Sequence, residues 1–313
     1  MARGRFAPSP TGPLHFGSLI AALGSFLEAR RNKGEWLLRI EDVDTPRTAP
    51  GAAAAILRAL ERYGLHWDGP VVYQSQRTAY YQAALERLSS AGLVYSCACS
   101  RRDLASCPRG RDGGPIHPGT CRDGARSTGR PCALRLCVND APIFFRDAIQ
   151  GECRQRLDRE VGDFVIRRAD GRFAYQLAVV VDDAAQDVTQ VVRGADLLDS
   201  TPRQIYLQRL LGLSTPDYAH LPVAVDARGD KLSKQTGAPA LDERNPGPAL
   251  WAALRFLGQQ PPPALAREPP AAILDWALLH WRLERAPTLR TRHGDLFRPP
   301  TNPDWVDNAK AID

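Results

Sequence analysis

Lysine is nearly missing from this chain of 313 residues. Arginine supplies almost all of the 41 basic side chains, and the lysines are Lys33, Lys231, Lys234 and Lys310 alone. The net charge of +6 is compatible with a nucleic-acid partner, but a charge this modest and this uniformly arginine does not require one. Long apolar runs are missing as well, which argues against a membrane-spanning helix and a membrane partner. The opening MARGRFAPSP lacks the apolar core of a signal peptide, so a cytoplasmic protein is expected. Seven cysteines, an odd number in a chain this long, do not read as a disulfide framework. In a reducing compartment they read as buried thiols or metal ligands. No internal repeat is present. What remains is ordinary for a globular protein: 43% hydrophobic and 24% charged residues, enough for one large domain or two modest ones.

The stretch APSPTGPLHFGSLIAAL, Ala7 to Leu23, opens on Pro8, Pro10, Gly12 and Pro13, which interrupt helix and strand alike. It then becomes a helical pattern, with Leu19, Ile20, Leu23, Phe26 and Leu27 on one apolar face. RGRFAPS before it reads as a short strand, and EWLLRIEDVD, Glu35 to Asp44, as a second strand ending in acids. Strand, helix, strand predicts a βαβ unit and a parallel sheet, which binds ligands outside the carboxyl ends of its strands. Ser9 and the acids from Glu41 to Asp44 fall at those ends. Further helices are predicted from Gly51 to Tyr63, within SQRTAYYQAALERLSSAGLVYSC, and over TPRQIYLQRLLGL with Thr201 as cap and Pro202 at the first position. CALRLCV and PIFFRDAIQGECRQRL predict a β excursion, ADGR a hairpin turn, and AVVVDD a buried strand ending in acids. Late helices around LWAALRFLGQQ and AAILDWALLHWRL flank the proline-rich QQPPPALAREPP, and the tail beyond Ala286 reads as irregular.

Two places carry chemistry. His15, Phe16, Gly17 and Ser18 stand at the mouth of the first helix. A histidine there faces free backbone N–H groups and the positive end of the macrodipole, which favour an anion over an imidazolium. The second place is the polar loop DARGDKLSKQTGAPAL, where Lys231 and Lys234 fall three residues apart. A lysine-poor chain that keeps two ammonium groups in one loop has point charges to offer a phosphate. Taken alone, the loop reads equally well as a solvated surface.

Together, PSPTGPLHFGS and KLSKQ resemble the paired ATP motifs of class I aminoacyl-tRNA synthetases. RFAPSPTGPLHFGS followed by LRIEDVD is similar to the glutamyl branch. YGLHWDG, QSQR, FAYQLAVVVDD, VVRGADL and HLPV extend the likeness over nearly all of residues 3 to 258. Within that branch the chain resembles the glutamyl-Q tRNA(Asp) synthetases, a shortened family without the anticodon-binding domain. About eighty residues follow Lys234, where an anticodon-binding domain needs at least ~100. The resemblance implies an α/β fold: a Rossmann-type class I aminoacyl-tRNA synthetase catalytic domain with a zinc-bearing insertion and a short helical C-terminal stem-contact region. The expected parts are the first half of the Rossmann domain at 1–95, the zinc-bearing acceptor-binding insertion at 96–160, the second Rossmann half at 161–225, and the KLSKQ loop with the truncated helical region at 226–313.

The implied reaction has two steps. ATP and L-glutamate give glutamyl-adenylate and pyrophosphate, and the glutamyl group then passes to queuosine at the wobble position of tRNA(Asp). Attack on the α-phosphorus builds charge on phosphate oxygens, so donors and cations there lower the barrier. The resemblance makes His15 and Lys234 catalytic and adds Gly17, Ser18, Lys231 and Ser233 to the ATP site, with Mg²⁺ accompanying ATP. Gly17 lets the nucleotide approach the backbone. Glutamate brings two carboxylates and one ammonium. Arg5 and Arg193 match the first and Glu41 the second, with Ser9, Tyr175 and the backbone around Ala7 completing the hydrogen bonds. Asp42 and Asp44 stay open between capping the strand end, holding Arg47 and lining the pocket.

The family holds zinc with a Cys-x-Cys pair, a tyrosine and a cysteine four residues after it. Cys97, Cys99 and Cys121 match, while HPGTC puts His117 at the tyrosine's place. A Cys₃His set is a sound tetrahedral zinc site; Cys107 competes as fourth ligand, and metal-free thiols are the plain alternative. Four protein ligands leave no open position, so the zinc is expected to be structural. Cys132, Cys137 and Cys153 read as buried or half-buried strand residues. Two other functions stand beside this one: an ordinary glutamyl-tRNA synthetase acting on the tRNA 3′ end, and a catalytically inactive RNA-binding paralogue. A monomer is the default expectation.

Overall fold

The computed structural model describes residues 2–111, 113–124, 129–232 and 238–294. The strand-forming RGRF is β1 (Arg3–Phe6), which leads through the proline–glycine turn into α1 (Phe16–Arg31). β2 (Glu35–Ile40) returns parallel to β1, giving the βαβ unit that the sequence predicts. α2 (Ala52–Arg62) follows, then β3 (Val72–Tyr73) parallel to β2, and α3 (Thr78–Ser90). β4 (Val94–Cys97) and β5 (Ala133–Leu136) precede the hairpin of β6 (Ile143–Asp147) and β7 (Gly151–Gln155). The short α4 (Leu157–Glu160) leads to β8 (Phe164–Arg167), and β4, β5 and β8 form a separate antiparallel sheet.

The parallel frame then resumes. α5 (Tyr175–Ala185), β9 (Gln190–Gly194), α6 (Thr201–Leu210) and β10 (Asp217–Leu221) build a sheet in the order β7-β6-β10-β9, with β10 parallel to both β9 and β6. The Thr189 N–H donates to the Arg3 carbonyl at 3.0 Å, so the edges of β9 and β1 meet. β11 (Val223–Val225), α7 (Pro246–Phe256), α8 (Pro270–His280) and β12 (Thr291–His293) complete the described chain.

α1 runs through the middle of this arrangement. Leu19, Ile20, Leu23, Phe26 and Leu27 are buried as their spacing predicts, but so are Ala22, Gly24, Ser25 and Ala29. The second buried side exists because α7 and α8 cover it. Phe16 meets Phe256 edge to face at 6.0 Å, and the Trp281 indole donates to buried Glu28 at 2.7 Å. Each large side chain so enclosed is worth about 1.5–3 kcal/mol. A β-carbon on Gly24 would stand 2.6 Å from Leu221 Cδ1, so a larger residue there would displace the end of that side chain. Among the described residues no helix is long and apolar enough to cross a membrane.

Four expectations are corrected. AVVVDD is not a strand but the body of α5. Three consecutive valines favour a strand by propensity, yet the segment is buried from Leu177 to Asp183, and tertiary packing decides. Helical geometry also turns successive residues about 100° apart. Asp182 therefore reaches Gln74, Arg77 and Tyr81 while Asp183 reaches Arg5 and Arg39. ADGR makes a tight turn ahead of α5, with only a bridge between Arg167 and Phe173 across it, rather than a hairpin of two strands. The cap of α6 is Ser200, not Thr201, and the tail beyond Ala286 includes β12, parallel to β11.

Candidate active site

The turn before α1 is pressed against the lysine-bearing segment. His15 holds extended backbone ahead of the helix, and its carbonyl takes the Leu19 N–H at 3.0 Å. A β-carbon on Gly17 would meet the Leu232 carbonyl at 3.1 Å and the His15 ring at 3.2 Å. Leu232 is fixed by its own N–H to Ala224, and the returning chain bridges Ala240 to His15 and Leu241 to Leu14. The two distant motifs thus converge on one turn. Lys231 Nζ lies 2.6 Å from Asp196 Oδ2, just past the end of β9. Ser233 and Lys234 lie outside the described residues. Ser18 follows in the first turn of α1, half-buried.

The carboxyl ends of β1, β2 and β9 carry the second cluster. Arg5 on β1 is buried and donates from Nε to Asp183 at 3.2 Å. Arg39 on β2 is fully buried, donating to Asp183 at 2.7 Å and to Gln186 at 2.7 Å. Burial resists ionisation of Asp183, yet Arg5 and Arg39 hold it below the usual carboxylate range. Glu41, just past β2, lies 3.5 Å from the Arg39 guanidinium, but its Oε1 is buried and accepts no hydrogen bond among the described residues. Burial pushes its carboxyl up to about 7, against the pull of Arg39 and Arg5. Tyr175, the first residue of α5, senses all of these charges. Burial pushes its hydroxyl up to about 12, Arg193 and Arg5 draw it down, and Glu41 and Asp183 push it up. Ala7 is half-buried and Ser9 exposed at the rim.

Arg193, on β9, is 5% exposed. Its NH1 is buried and makes no hydrogen bond among the described residues. A buried donor left open costs about 1–3 kcal/mol, more when charged, and Arg193 NH1 and Glu41 Oε1 are two of the buried polar atoms without a hydrogen-bond partner among the described residues.

At the end of β4, Cys97, Cys99, His117 and Cys121 gather with all donor atoms within 4.8 Å of one another. Cys97 Sγ lies 3.3 Å from His117 Nε2, and Cys99 Sγ lies 3.5 Å from Cys121 Sγ. Zinc bonds of ~2.0–2.3 Å set tetrahedron edges of ~3.5–3.8 Å, and the donor types and these two separations suit that ion. Cys107 is not in the group. His117 Nδ1 lies 3.0 Å from the Gly119 nitrogen and 3.0 Å from the Tyr95 hydroxyl, which donates to Asp163 at 2.8 Å. Asp163 also takes a two-pronged contact from Arg122 at 2.7 and 2.6 Å. Such outer contacts fix the orientation of a metal-binding imidazole.

The family described as tRNA synthetases class I (E and Q), catalytic domain, matches residues 1–247. A glutamyl-Q tRNA(Asp) synthetase of Thiobacillus denitrificans is 58% identical over 285 residues, covering 91% of this chain and 95% of that one. This chain belongs to the glutamyl-Q tRNA(Asp) synthetase family. A second member, from Dechloromonas aromatica, is also 58% identical, over 91% of this chain and 95% of its own. The glutamate–tRNA synthetase of Elizabethkingia anophelis superimposes with a TM-score of 0.75 at 24% identity, covering 95% of this chain and 69% of that chain, which shows the shared fold.

In this member of the glutamyl-Q tRNA(Asp) synthetase family the turn before α1 meets Leu232 of the lysine-bearing segment, and the acids past β2 are sorted. Asp42 accepts the backbone N–H and the hydroxyl of Ser75 at 2.8 and 2.7 Å, and Asp44 holds Arg47 at 2.7 Å and Arg168 at 3.2 Å. Sequence reasoning missed Arg39, Asp147, Asp182, Asp183 and His220. The signal available was the pair of acids closing AVVVDD, whose misreading as a strand hid their partners.

Proposed function

We propose that this protein activates L-glutamate with ATP and transfers the glutamyl group to queuosine in tRNA(Asp), working as a cytoplasmic monomer. The observation that carries the activation step is the burial of Arg5 and Arg193 at the carboxyl ends of β1 and β9, with Arg193 NH1 making no hydrogen bond among the described residues and Glu41 buried just past β2. Two guanidiniums and one acid complement the two carboxylates and one ammonium of glutamate. The names of the relatives support the acceptor.

His15 donates to phosphate at the helix mouth, and Gly17 keeps the backbone accessible to the nucleotide. Lys234 stabilises the transferring phosphate, Lys231 and Ser233 help close the loop, and Mg²⁺ arrives with ATP. Arg193 and Arg5 hold carboxylates, Glu41 accepts from the ammonium, and Ser9, Tyr175 and the Ala7 backbone complete the cup. Cys97, Cys99, His117 and Cys121 hold a structural zinc, whose chemistry is to cross-link the insertion at 96–160. That insertion approaches the RNA, and the helices of 226–313 meet its stem.

The test is a transfer assay with radiolabelled glutamate on three RNAs: queuosine-containing tRNA(Asp), tRNA(Asp) with an unmodified wobble base, and tRNA(Glu). Label on the first alone is the expected result. Label on the 3′ end of tRNA(Glu) would identify an ordinary glutamyl-tRNA synthetase. Absence of glutamate-dependent ATP–pyrophosphate exchange would leave the RNA-binding paralogue.

A further inference from the structure

Arg193 is aimed by a chain of groups that crosses three strands. The register sets Arg193 of β9 beside His220 of β10, and Tyr218 of β10 beside Asp147 of β6. Parallel neighbours in register put side chains on the same face, so the three strands deliver Asp147, His220 and Arg193 in line at the sheet's carboxyl end. Arg193 Nε donates to His220 Nε2 at 3.0 Å, and its NH2 donates to Thr201 Oγ1 at 2.8 Å and to the Leu197 carbonyl at 3.4 Å. The guanidinium lies over the Tyr218 ring at 5.5 Å. Two of its three nitrogens are therefore tied to protein, and the third, NH1, is the buried one without a partner among the described residues.

The protons of this chain have one consistent arrangement. Arginine Nε always carries hydrogen, so His220 Nε2 is the acceptor and the imidazole proton sits on Nδ1. Nδ1 lies 2.5 Å from Asp147 Oδ2 and donates to it. Asp147 Oδ1 is pinned in turn by the backbone N–H groups of Ile149, Gln150 and His220 at 3.0, 2.9 and 3.1 Å. An imidazolium would turn one N–H against another. Burial holds His220 down to about 4 against the pull of Asp147, which keeps the ring neutral. The side chains of His220 and Asp147 are closed to solvent, and their polar atoms are taken up by Arg193, by each other and by backbone N–H groups.

We propose that Asp147, His220 and Thr201 are positioning residues, holding the Arg193 guanidinium so that NH1 alone is presented to a carboxylate of the amino acid. This rests on the reading that the pocket takes glutamate. The chain turns a flexible arginine into a fixed donor, with the cost of orientation met at folding rather than at binding.

The test compares His220→Leu, His220→Gln, Thr201→Val and Arg193→Leu in RNA-free ATP–pyrophosphate exchange, each checked for its melting transition. His220→Leu removes the acceptor; His220→Gln offers an amide oxygen near the Nε2 position. His220→Leu is expected to raise the glutamate KM about 10–100-fold with the ATP KM unchanged, and His220→Gln to recover at least about tenfold of that loss. In the double variant with Arg193→Leu, the His220→Leu effect is expected to vanish. Equal damage from both histidine variants, a parallel rise in the ATP KM, or full additivity with Arg193→Leu would overturn the proposal. If His220→Leu does not fold, Thr201→Val decides: a rise in glutamate KM of about threefold or more supports the chain, and no change overturns it. An Arg193→Leu protein that keeps the wild-type glutamate KM would instead refute the glutamate pocket itself.

Discussion

The proposed amino acid pocket and the cysteine–histidine cluster are both buried concentrations of polar groups, and they differ in what they leave open. Around His117 most groups are matched: Tyr95, Arg122 and the Val138 N–H all donate to Asp163, and the four ligand atoms lie within 4.8 Å of one another. At the carboxyl ends of β2 and β9, Arg193 NH1 and Glu41 Oε1 are buried without hydrogen-bond partners among the described residues. A closed shell around converging donors describes a structural ion. Open valences at the carboxyl ends of parallel strands describe a place for a molecule that comes and goes.

The largest expected effect lies on the open side. Lys234→Ala is expected to lower kcat for pyrophosphate exchange about 10²–10³-fold while the glutamate KM moves less than about threefold, because charge develops on the phosphates only in the transition state. Equal losses in both would argue for a binding role. Glu41→Gln sharpens the comparison further. With its carboxyl raised to about 7, above the ordinary glutamate range, Glu41 favours folding when protonated, and that contribution is lost as pH rises through 7. Glu41→Gln is therefore expected to melt higher than the parent at pH 8, by about 1–3 kcal/mol, with little difference at pH 4, and to lose activation. For the parent, the glutamate KM is expected to rise as pH falls from 8 to 6. A variant no more stable than the parent at pH 8 would contradict the open-valence reading of Glu41.

On the closed side, Cys121→Ser or chelation is expected to remove one zinc per chain, measured by elemental analysis, and to lower the melting temperature. RNA-free exchange is expected to stay within about threefold of the parent, since distant sites act independently, while transfer to RNA falls. Loss of exchange in step with zinc would erase the distinction between the two regions. The smallest effect belongs to neither. Asp44 pairs with Arg47, which is 70% exposed, and Asp44→Ala is expected to change stability by less than about 1 kcal/mol in denaturant unfolding.

The sequence made β1, α1 and β2 legible because apolar spacing and the proline–glycine turn agree with the tertiary outcome. It misled at α5, where three valines read as strand while the surroundings enclose a helix. Arg5, Glu41, Tyr175 and Arg193 were found through likeness to a family, and their gathering at Tyr175 is a property of the fold. Asp147 and His220 were out of reach of sequence reasoning. They lie 73 residues apart and meet only because β6 and β10 are neighbours in a parallel sheet. His117 was nominated by its spacing to Cys121; it joins the cluster because Cys97, at the end of β4, comes within 3.3 Å of its ring.

The most direct test of the account is ATP–pyrophosphate exchange by the purified protein without RNA, across glutamate, glutamine and aspartate. A pocket with two guanidiniums and one acid predicts exchange with glutamate and at least about 10²-fold less kcat/KM with glutamine, which leaves a buried cation unpaired. Silence with glutamate, or equal exchange with glutamine, would contradict it.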